Sequence, residues 1–464
     1  MKRSRVAWLC LLSVPFLLPS ALHAEPISFS DAWQQVLKVS DKLQAQSQEV
    51  NRAKGELQAG EGLNLPSLDI RGNYIHLDKP IEFDLKELNS VTSLPPVIGG
   101  YIAGIPPLPL SEQDIFSASL QAMWPIYTGG QITAAQGIHA AMVAEKQQEL
   151  QLATRDLFTQ LVDRYYAVDV TQALVETQTD LVGSLTKHVE HALAMEREGQ
   201  IAKVERLNAQ VALDNAKVNL GSARRQHEMA VIALARMLQQ SQVSTHSPLF
   251  VLPHAPSLDQ LSQMTLSQHP ALKLLEAKEA QANGLVSLEK GKYHPTVFLF
   301  GNYTLYEEDT LLSSITPDWM VGVGVNVPLI SRDGRSGKVE AAKSALLQAR
   351  YTKAQTKQDL SLLVDQSYRQ LLQAEEEVKA LDTSLELATE NLRLREIAFN
   401  QGLSTSIDRV DAELKLSAVK TQQLAARYRY VQAYARLMAI SGQLDEFIGR
   451  TVDRHPVQEI NHAR

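Results

Sequence analysis

Pro66-Ser-Leu-Asp-Ile-Arg-Gly-Asn-Tyr74 returns 229 residues later as Pro295-Thr-Val-Phe-Leu-Phe-Gly-Asn-Tyr303. In the first copy Leu68, Ile70, Gly72 and Tyr74 alternate with Asp69, Arg71 and Asn73, the period of a strand with one apolar and one polar face. In the second, residues 296–305 are apolar on nearly both faces. Three further pairs keep the same order: Leu161-Val-Asp163 with Leu363-Val-Asp365, Glu205-Arg-Leu-Asn-Ala-Gln210 with Asp408-Arg-Val-Asp-Ala-Glu413, and Ala235-Arg236 with Ala435-Arg436. Their offsets of 202, 203 and 200 put the main length difference in the loop after the first strand. The sequence therefore reads as an internal duplication, each half running short helix, strand, loop, strand, long helix, turn, second helix.

Working outward, two more segments alternate. Phe116, Ala118, Leu120, Ala122 and Trp124 share one face, and Val321, Val323, Val325 and Val327 another. Strands are expected at about 65–78, 115–127, 294–306 and 319–330. Each is about ten residues, the length a tilted strand needs to cross a bilayer, and Tyr74, Trp124, Tyr127 and Trp319 near their ends suit the lipid interface. The same four strands fit a soluble sheet. A Gly, Ser and Asn face suits a water-filled lumen, and four strands cannot close a barrel alone, so a membrane reading requires oligomerisation.

Between the strands no proline occurs from 126 to 247 or from 329 to 455. Proline is excluded from helix interiors, so both blocks read as long helices, at about 130–197 and 202–240 and again at 335–400 and 404–441. Shorter helices are expected at 28–60 and 257–290. From Ile407 the positions Val410, Leu414, Ser417, Thr421, Leu424, Tyr428, Val431, Ala435 and Met438 keep 3,4 spacing, as do Val378, Leu381, Leu385, Ala388 and Leu392. That is a coiled-coil seam. Residues 130–197 as one helix would span about 100 Å, wider than a compact domain.

The ends and the overall charge narrow the class. Residues 1–24 carry Lys2, Arg3 and Arg5, an apolar run and a small-residue end at Ala24, the layout of a secretory signal peptide. The remainder holds 42 Lys and Arg against 52 Asp and Glu, which argues against nucleic acid as a partner. The lone Cys10 falls within the leader, leaving no disulfide or thiol nucleophile. Past the leader there is no run of 18 apolar residues. The plan is then a signal peptide at 1–24, a first repeat at 25–250, a second at 251–442 and a C-terminal tail at 443–464.

Leader, duplication, strand hairpins and long helices together resemble the TolC-like family of outer-membrane efflux proteins over essentially the whole mature chain. The most specific residues are Pro125-Ile-Tyr-Thr-Gly-Gly130 and Pro328-Leu-Ile-Ser-Arg-Asp-Gly334, strand-to-helix junctions similar to the family's pattern, with the glycine turns at Gly199 and Gly402. The resemblance implies a membrane β-barrel plus an α-helical coiled-coil barrel: a homotrimer whose four strands per chain make one twelve-stranded barrel in outer-membrane lipid, continued by a periplasmic helical tunnel. It implies a duct for efflux or type I secretion in a Gram-negative bacterium, docked to a periplasmic adaptor and an inner-membrane transporter.

By the family pattern the narrow entrance is lined by Asp408 and Asp411, with Glu205 and Asn208 at the matching steps of the first repeat. Three copies would raise local cation concentration, and their crowding would raise the carboxylate pKa values. Where relatives close the entrance with a tyrosine and an arginine, this chain has Phe399 and Ser404, which cannot make the same links. Closure must then rely on other contacts or be looser; Arg409, Arg395 and Arg197 are nearby candidates for it, each reading more readily as a plain surface charge. The turns at Gly199 and Gln200, and at Gly402, Leu403 and Ser404, match those that receive the adaptor's tips.

No catalytic, cofactor or metal set stands out. His188 and His191 are three apart on one helix face, but lack an acidic third ligand better than Glu190. Ser417-Ala-Val-Lys420 lies inside the seam, and Gly337-Lys338 lacks the rest of a phosphate loop. The competing class is an exported adhesive fibre, a trimeric coiled coil without a tunnel. The 34-residue segment 79–112 holds six prolines and several apolar residues. It is expected to emerge outside the cell and fold over the barrel mouth.

Overall fold

The computed structural model describes residues 26–85, 95–253, 255–308, 313 and 316–452. The leader at 1–24, part of the 79–112 segment and the end of the C-terminal tail lie outside the described residues. In chain order the elements are α1 (Phe29–Val39), α2 (Asp41–Glu61), β1 (Ser67–His76), β2 (Glu82–Phe83), α3 (Pro96–Ala103), β3 (Leu108–Pro109), β4 (Asp114–Tyr127), α4 (Gln131–Arg197) and α5 (Lys203–Leu238). After them come α6 (Leu258–Gln268), α7 (Pro270–Gly291), β5 (Thr296–Glu307), β6 (Trp319–Asn326), α8 (Arg335–Asn400), α9 (Ser406–Ser441) and α10 (Leu444–Val452). The chain divides into two compact units, Lys42–Ala153 with Leu266–Ser361, and Met1–Asp41 with Thr154–Thr265 and Leu362–Arg464.

The first of these units holds a sheet in the order β1-β4-β5-β6, antiparallel throughout. Its register aligns side chains in rows. Ile70, Leu120, Tyr303 and Trp319 form one row, and Leu68, Ala122, Gly301 and Val321 the next on the same face. This face is apolar yet open, with Ile70 74% and Val321 75% exposed. The opposite face carries the row Asp69, Gln121, Asn302 and Met320, then Ser67, Met123, Phe300 and Gly322. The Phe298 and Phe300 rings occupy the space over Gly324 and Gly322, where an added Cβ would meet their ring carbons and force them to shift. Among the described residues β1 and β6 each pair on one side only.

Helices in this unit are joined largely by polar links. Gln46 of α2 donates to Glu149 of α4 at 3.1 Å, and Gln136 of α4 donates to the Gly60 carbonyl at 3.1 Å. Glu145, buried on α4, receives Lys278 of α7 at 3.2 Å. On the other side of α7, Lys353 of α8 meets Glu276 at 3.2 Å and Glu279 at 3.6 Å. Where β6 gives way to α8, Arg335 donates to the carbonyls of Lys292 and Pro328 and lies 5.1 Å over the Tyr293 ring.

Two helices expected to be continuous are broken. Residues 28–60 split at Ser40, which is extended (φ −69°, ψ 108°) and caps α1. Residues 257–290 split at His269, extended because Pro270 follows it; the proline starts α7 and the His269 Nδ1 accepts from the Ala271 amide. The last strand also stops at Asn326 instead of running to 330, two residues before Pro328, which has no N–H to donate.

The other unit is built around rings. Phe29 of α1 stands edge-on to Phe158 and Tyr165 of α4, and Phe447 of α10 packs on Phe29 at 5.2 Å and on Tyr434 of α9 at 5.7 Å. Residues 444–452, read as part of a tail, are thus a helix whose phenylalanine is fully buried. The Tyr165 hydroxyl donates to the Ile27 carbonyl and accepts from the amides of His246 and Ser247. Burial pushes this phenol up, so it stays a donor at any ordinary pH.

Pairing along the long helices is by narrow seams. Leu181 and Leu185 of α4 pack on Ala209, Ala212, Leu213 and Ala216 of α5, with Val410 of α9 closing the cluster. Leu385, Ala388 and Leu392 of α8 meet Leu416 and Val419 of α9. The seam read from Ile407 holds only in part. Val410, Ser417, Val431, Ala435 and Met438 are buried, but Ile407 and Leu414 are exposed while Arg409, Glu413 and Leu416 are buried. The reason is that α9 has neighbours on two sides, α8 on one and the α4–α5 pair on the other, so its buried stripe is broader than a single seam.

Candidate functional site at the two helix turns

The turns after α4 and α8 close in the same way. Gly199 (φ 73°) and Gly402 (φ 72°) adopt the left-handed conformation that ends a helix without a Cβ penalty. Gln200 N–H bonds the Met195 carbonyl at 2.9 Å, and Leu403 N–H bonds that of Ala398 at 2.8 Å. The starts of the following helices differ. Ala202 before α5 has no side chain to cap with, whereas Thr405 before α9 forms a reciprocal capping box with Asp408.

That box defines the Asp408 environment. Its carboxylate accepts from the Thr405 hydroxyl (2.8 Å), the Thr405 amide (3.1 Å) and the Ser404 hydroxyl (3.0 Å), with Arg395 at 4.0 Å. The Thr405 bonds, then Ser404, hold the carboxyl below its usual range. Within one chain Asp408 is therefore shifted opposite to the rise expected from crowding. Asp411, one turn on, is exposed. Glu205 does not stand free: its carboxylate accepts from the Ser406 amide at 3.1 Å, so the first turn of α5 caps the first turn of α9. Asn208 is half-buried on α5.

Behind these acids lies a buried polar cluster. Phe399 is 2% exposed and sets its ring 4.9 Å from His188 and 5.9 Å from His191, both on α4. The His188 Nε2 lies 2.8 Å from the Ser406 hydroxyl, and both residues are buried. Burial foremost, then the charge of Arg409 and His191, pushes the imidazole down to about 4. Arg409, read as a surface charge, is buried instead. It reaches the Ser184 hydroxyl at 3.2 Å, Glu413 at 3.5 Å and Glu396 at 3.7 Å, and Ser184 donates to Glu413 at 2.7 Å. Arg395 is the exposed one, and Arg197 is exposed as well.

Of the residues singled out from the sequence, the structure brings together Phe399, Ser404, Asp408 and Glu205, all near the start of α9. Leu403 projects at the tip, 79% exposed; Gly402 next to it and Gln200 in the other turn are exposed as well. Arg409 was a candidate read more readily as a surface charge; the members missed are Glu413, Ser184 and Ser406. The seam read from Ile407 gave no signal for Arg409 or Glu413, which lie off it and are buried only because α9 has a second neighbour. The two histidines, set aside as a metal pair, line this cluster. Among the described residues no group of three His, Cys, Asp or Glu side chains could hold a metal ion.

Comparison with known proteins gives a consistent picture. The family model for outer membrane efflux proteins matches residues 32–239 and 261–443, most of the chain. Among curated relatives, nodulation protein T of Rhizobium leguminosarum bv. trifolii is 25% identical over 38% of this chain and 37% of its own length. The outer membrane efflux protein BepC of Brucella suis is 23% identical over 56% of each. The chain thus spans between about a third and somewhat over half the length of these relatives. Among solved structures the CmeC outer membrane channel of Campylobacter jejuni superposes with a TM-score of 0.72 at 14% identity, covering 90% of this chain and 86% of that one. At that identity the likeness is one of fold.

Proposed function

We propose, from the premise that the chain belongs to the outer membrane efflux protein family, that it is the outer-membrane duct of a tripartite efflux or type I secretion system. The observation that carries this reading is the sheet β1-β4-β5-β6 with an exposed apolar face and two edges unpaired among the described residues. Backbone groups on a strand edge cannot be left bare in lipid, so such a sheet is stable in a membrane only as part of a closed barrel. Three copies supply twelve strands, and a homotrimer closes it. The polar rows then face a water-filled lumen and the rows of Ile70 and Val321 face lipid.

The two halves of each chain descend from one duplicated unit, and α4–α5 and α8–α9 are their matching hairpins. Their turns form the periplasmic end. Asp408 and Asp411 ring the entrance with Glu205 and Asn208 beside them, and the field of three such sets favours cations. The turn residues Gly199, Gln200, Gly402, Leu403 and Ser404 meet the periplasmic adaptor, with the exposed Leu403 as its apolar contact, and the adaptor links the duct to an inner-membrane transporter. A fibre without a tunnel is not favoured by the family match. Purified protein in a planar bilayer should conduct ions and light scattering should return a trimer; a monomer, or a trimer that conducts nothing, overturns the duct.

A further inference from the structure

We propose that His188 is an acid-sensitive latch on the second turn: buried and neutral, it pins the start of α9 to α4, and protonation releases that turn. The inference rests on the turns being the entrance of the duct, and it adds a residue that holds the entrance shut and a condition that loosens it. Ser406 is where the latch engages. Its hydroxyl is 2.8 Å from the His188 Nε2 and its amide donates to Glu205, so one buried serine ties α4, α5 and α9 together. The Phe399 ring, from the end of α8, stands edge-on to the imidazole at 4.9 Å.

The charged groups around the latch decide its sign. His191 stands on the same helix, Arg409 and Glu413 on α9, Glu396 on α8, and Glu205 on α5. Glu413 and Glu396 pair with Arg409, and Glu205 is committed to the Ser406 amide. No carboxylate bonds His188 among the described residues, and the positive charge of Arg409 acts against its protonation. An imidazolium there would be desolvated and repelled, which is why the group titrates at about 4 when buried, against 6.5 in water. A histidine whose pKa is depressed in the closed state binds protons more readily once released. Closure therefore keeps its full strength above pH 6.5 and loses it as pH falls. Between pH 7.5 and 5.5 the released state should gain about tenfold over the closed one.

Hydrogen exchange of the full-length trimer in detergent tests this, followed by mass spectrometry on segments 184–192 and 399–413 and corrected for intrinsic pH dependence. The wild type should open about tenfold more often at pH 5.5 than at 7.5. His188→Gln, which can still bond Ser406 but does not titrate, should lose the response, and His191→Gln should keep it. An unresponsive wild type, or an equal response in His188→Gln, overturns the latch. Should His188→Gln fail to assemble, histidine-selective NMR of the wild type decides: a His188 titration below pH 5 supports the latch and one near 6.5 refutes it. Channel open probability should rise with acid in parallel. A protein that conducts at neither pH would remove the duct reading, while the exchange data would still decide the latch.

Discussion

Arg409 is the residue whose removal should cost most at the turns. Its side chain and that of Glu413 are 8% and 10% exposed, so truncating one leaves the other charged and buried. Arg409→Ala should lower unfolding stability by about 3 kcal/mol, whereas Arg409→Met combined with Glu413→Gln should cost clearly less than the single change, since a buried pair is dearer to break than to replace. Denaturant melts of the four-variant cycle check this. The acids proposed to ring the entrance predict a different readout. Asp408→Ala with Asp411→Ala should weaken block by multivalent cations and shift the reversal potential away from cation selectivity; unchanged values would place both acids off the axis. The glycine-marked turns could be recognised from sequence because their spacing is local. The role of Arg409 could not, because it depends on Ser184, more than two hundred residues away, and on a helix with neighbours on two sides.

At the scale of elements, the two turns share a C-terminal stop and differ in how the next helix starts. Thr405→Ala removes half the capping box of α9 and should cost about 1 kcal/mol, read by thermal unfolding. Ala202→Ser places a cap three residues before Glu205, the spacing of a capping box, and should steady α5 while drawing Glu205 away from Ser406. If that contact matters to closure, exchange at 399–413 will rise even as α5 gains stability. Acid weakens the α9 cap as well: the Asp408 carboxyl is held below its usual range, so its contribution is complete above the ordinary carboxylate pKa and fades as pH falls through the lowered value. This lies well below the pH at which the histidine latch acts, so the two effects separate in a titration. Helix positions followed from proline placement and period, which are properties of single segments. The breaks at Ser40 and His269 were missed because each is one residue long and leaves the apolar pattern almost undisturbed, although Pro270 was a legible signal for the second.

For the whole molecule, the 79–112 segment offers the sharpest test. Its described part forms the small β2–β3 ribbon and α3, on which Val97 is 82% and Tyr101 85% exposed within one chain. Side chains so exposed within one chain fit the proposal that this segment packs over the barrel mouth. Deleting 92–108 should raise single-channel conductance and leave the trimer intact; equal conductance would show the segment clear of the pore.

The aromatic core of the second unit has a consequence for timing. Phe29 and Phe447 touch at 5.2 Å although they stand 418 positions apart in sequence. Every ring between them, Phe158 and Tyr165 included, can be in place before the last partner is available. A chain threaded out vector-wise from its N-terminal side must therefore hold α1 in an incomplete nest until α10 emerges, and contacts of such long range are slow to find. During that interval Phe29, Phe158 and Tyr434 present an open aromatic surface, an attractive landing place for a chaperone and a weak point for proteases. Phe447→Ala should leave the finished unit foldable but lengthen this vulnerable phase, visible as a protease-sensitive species that persists in pulse-chase refolding.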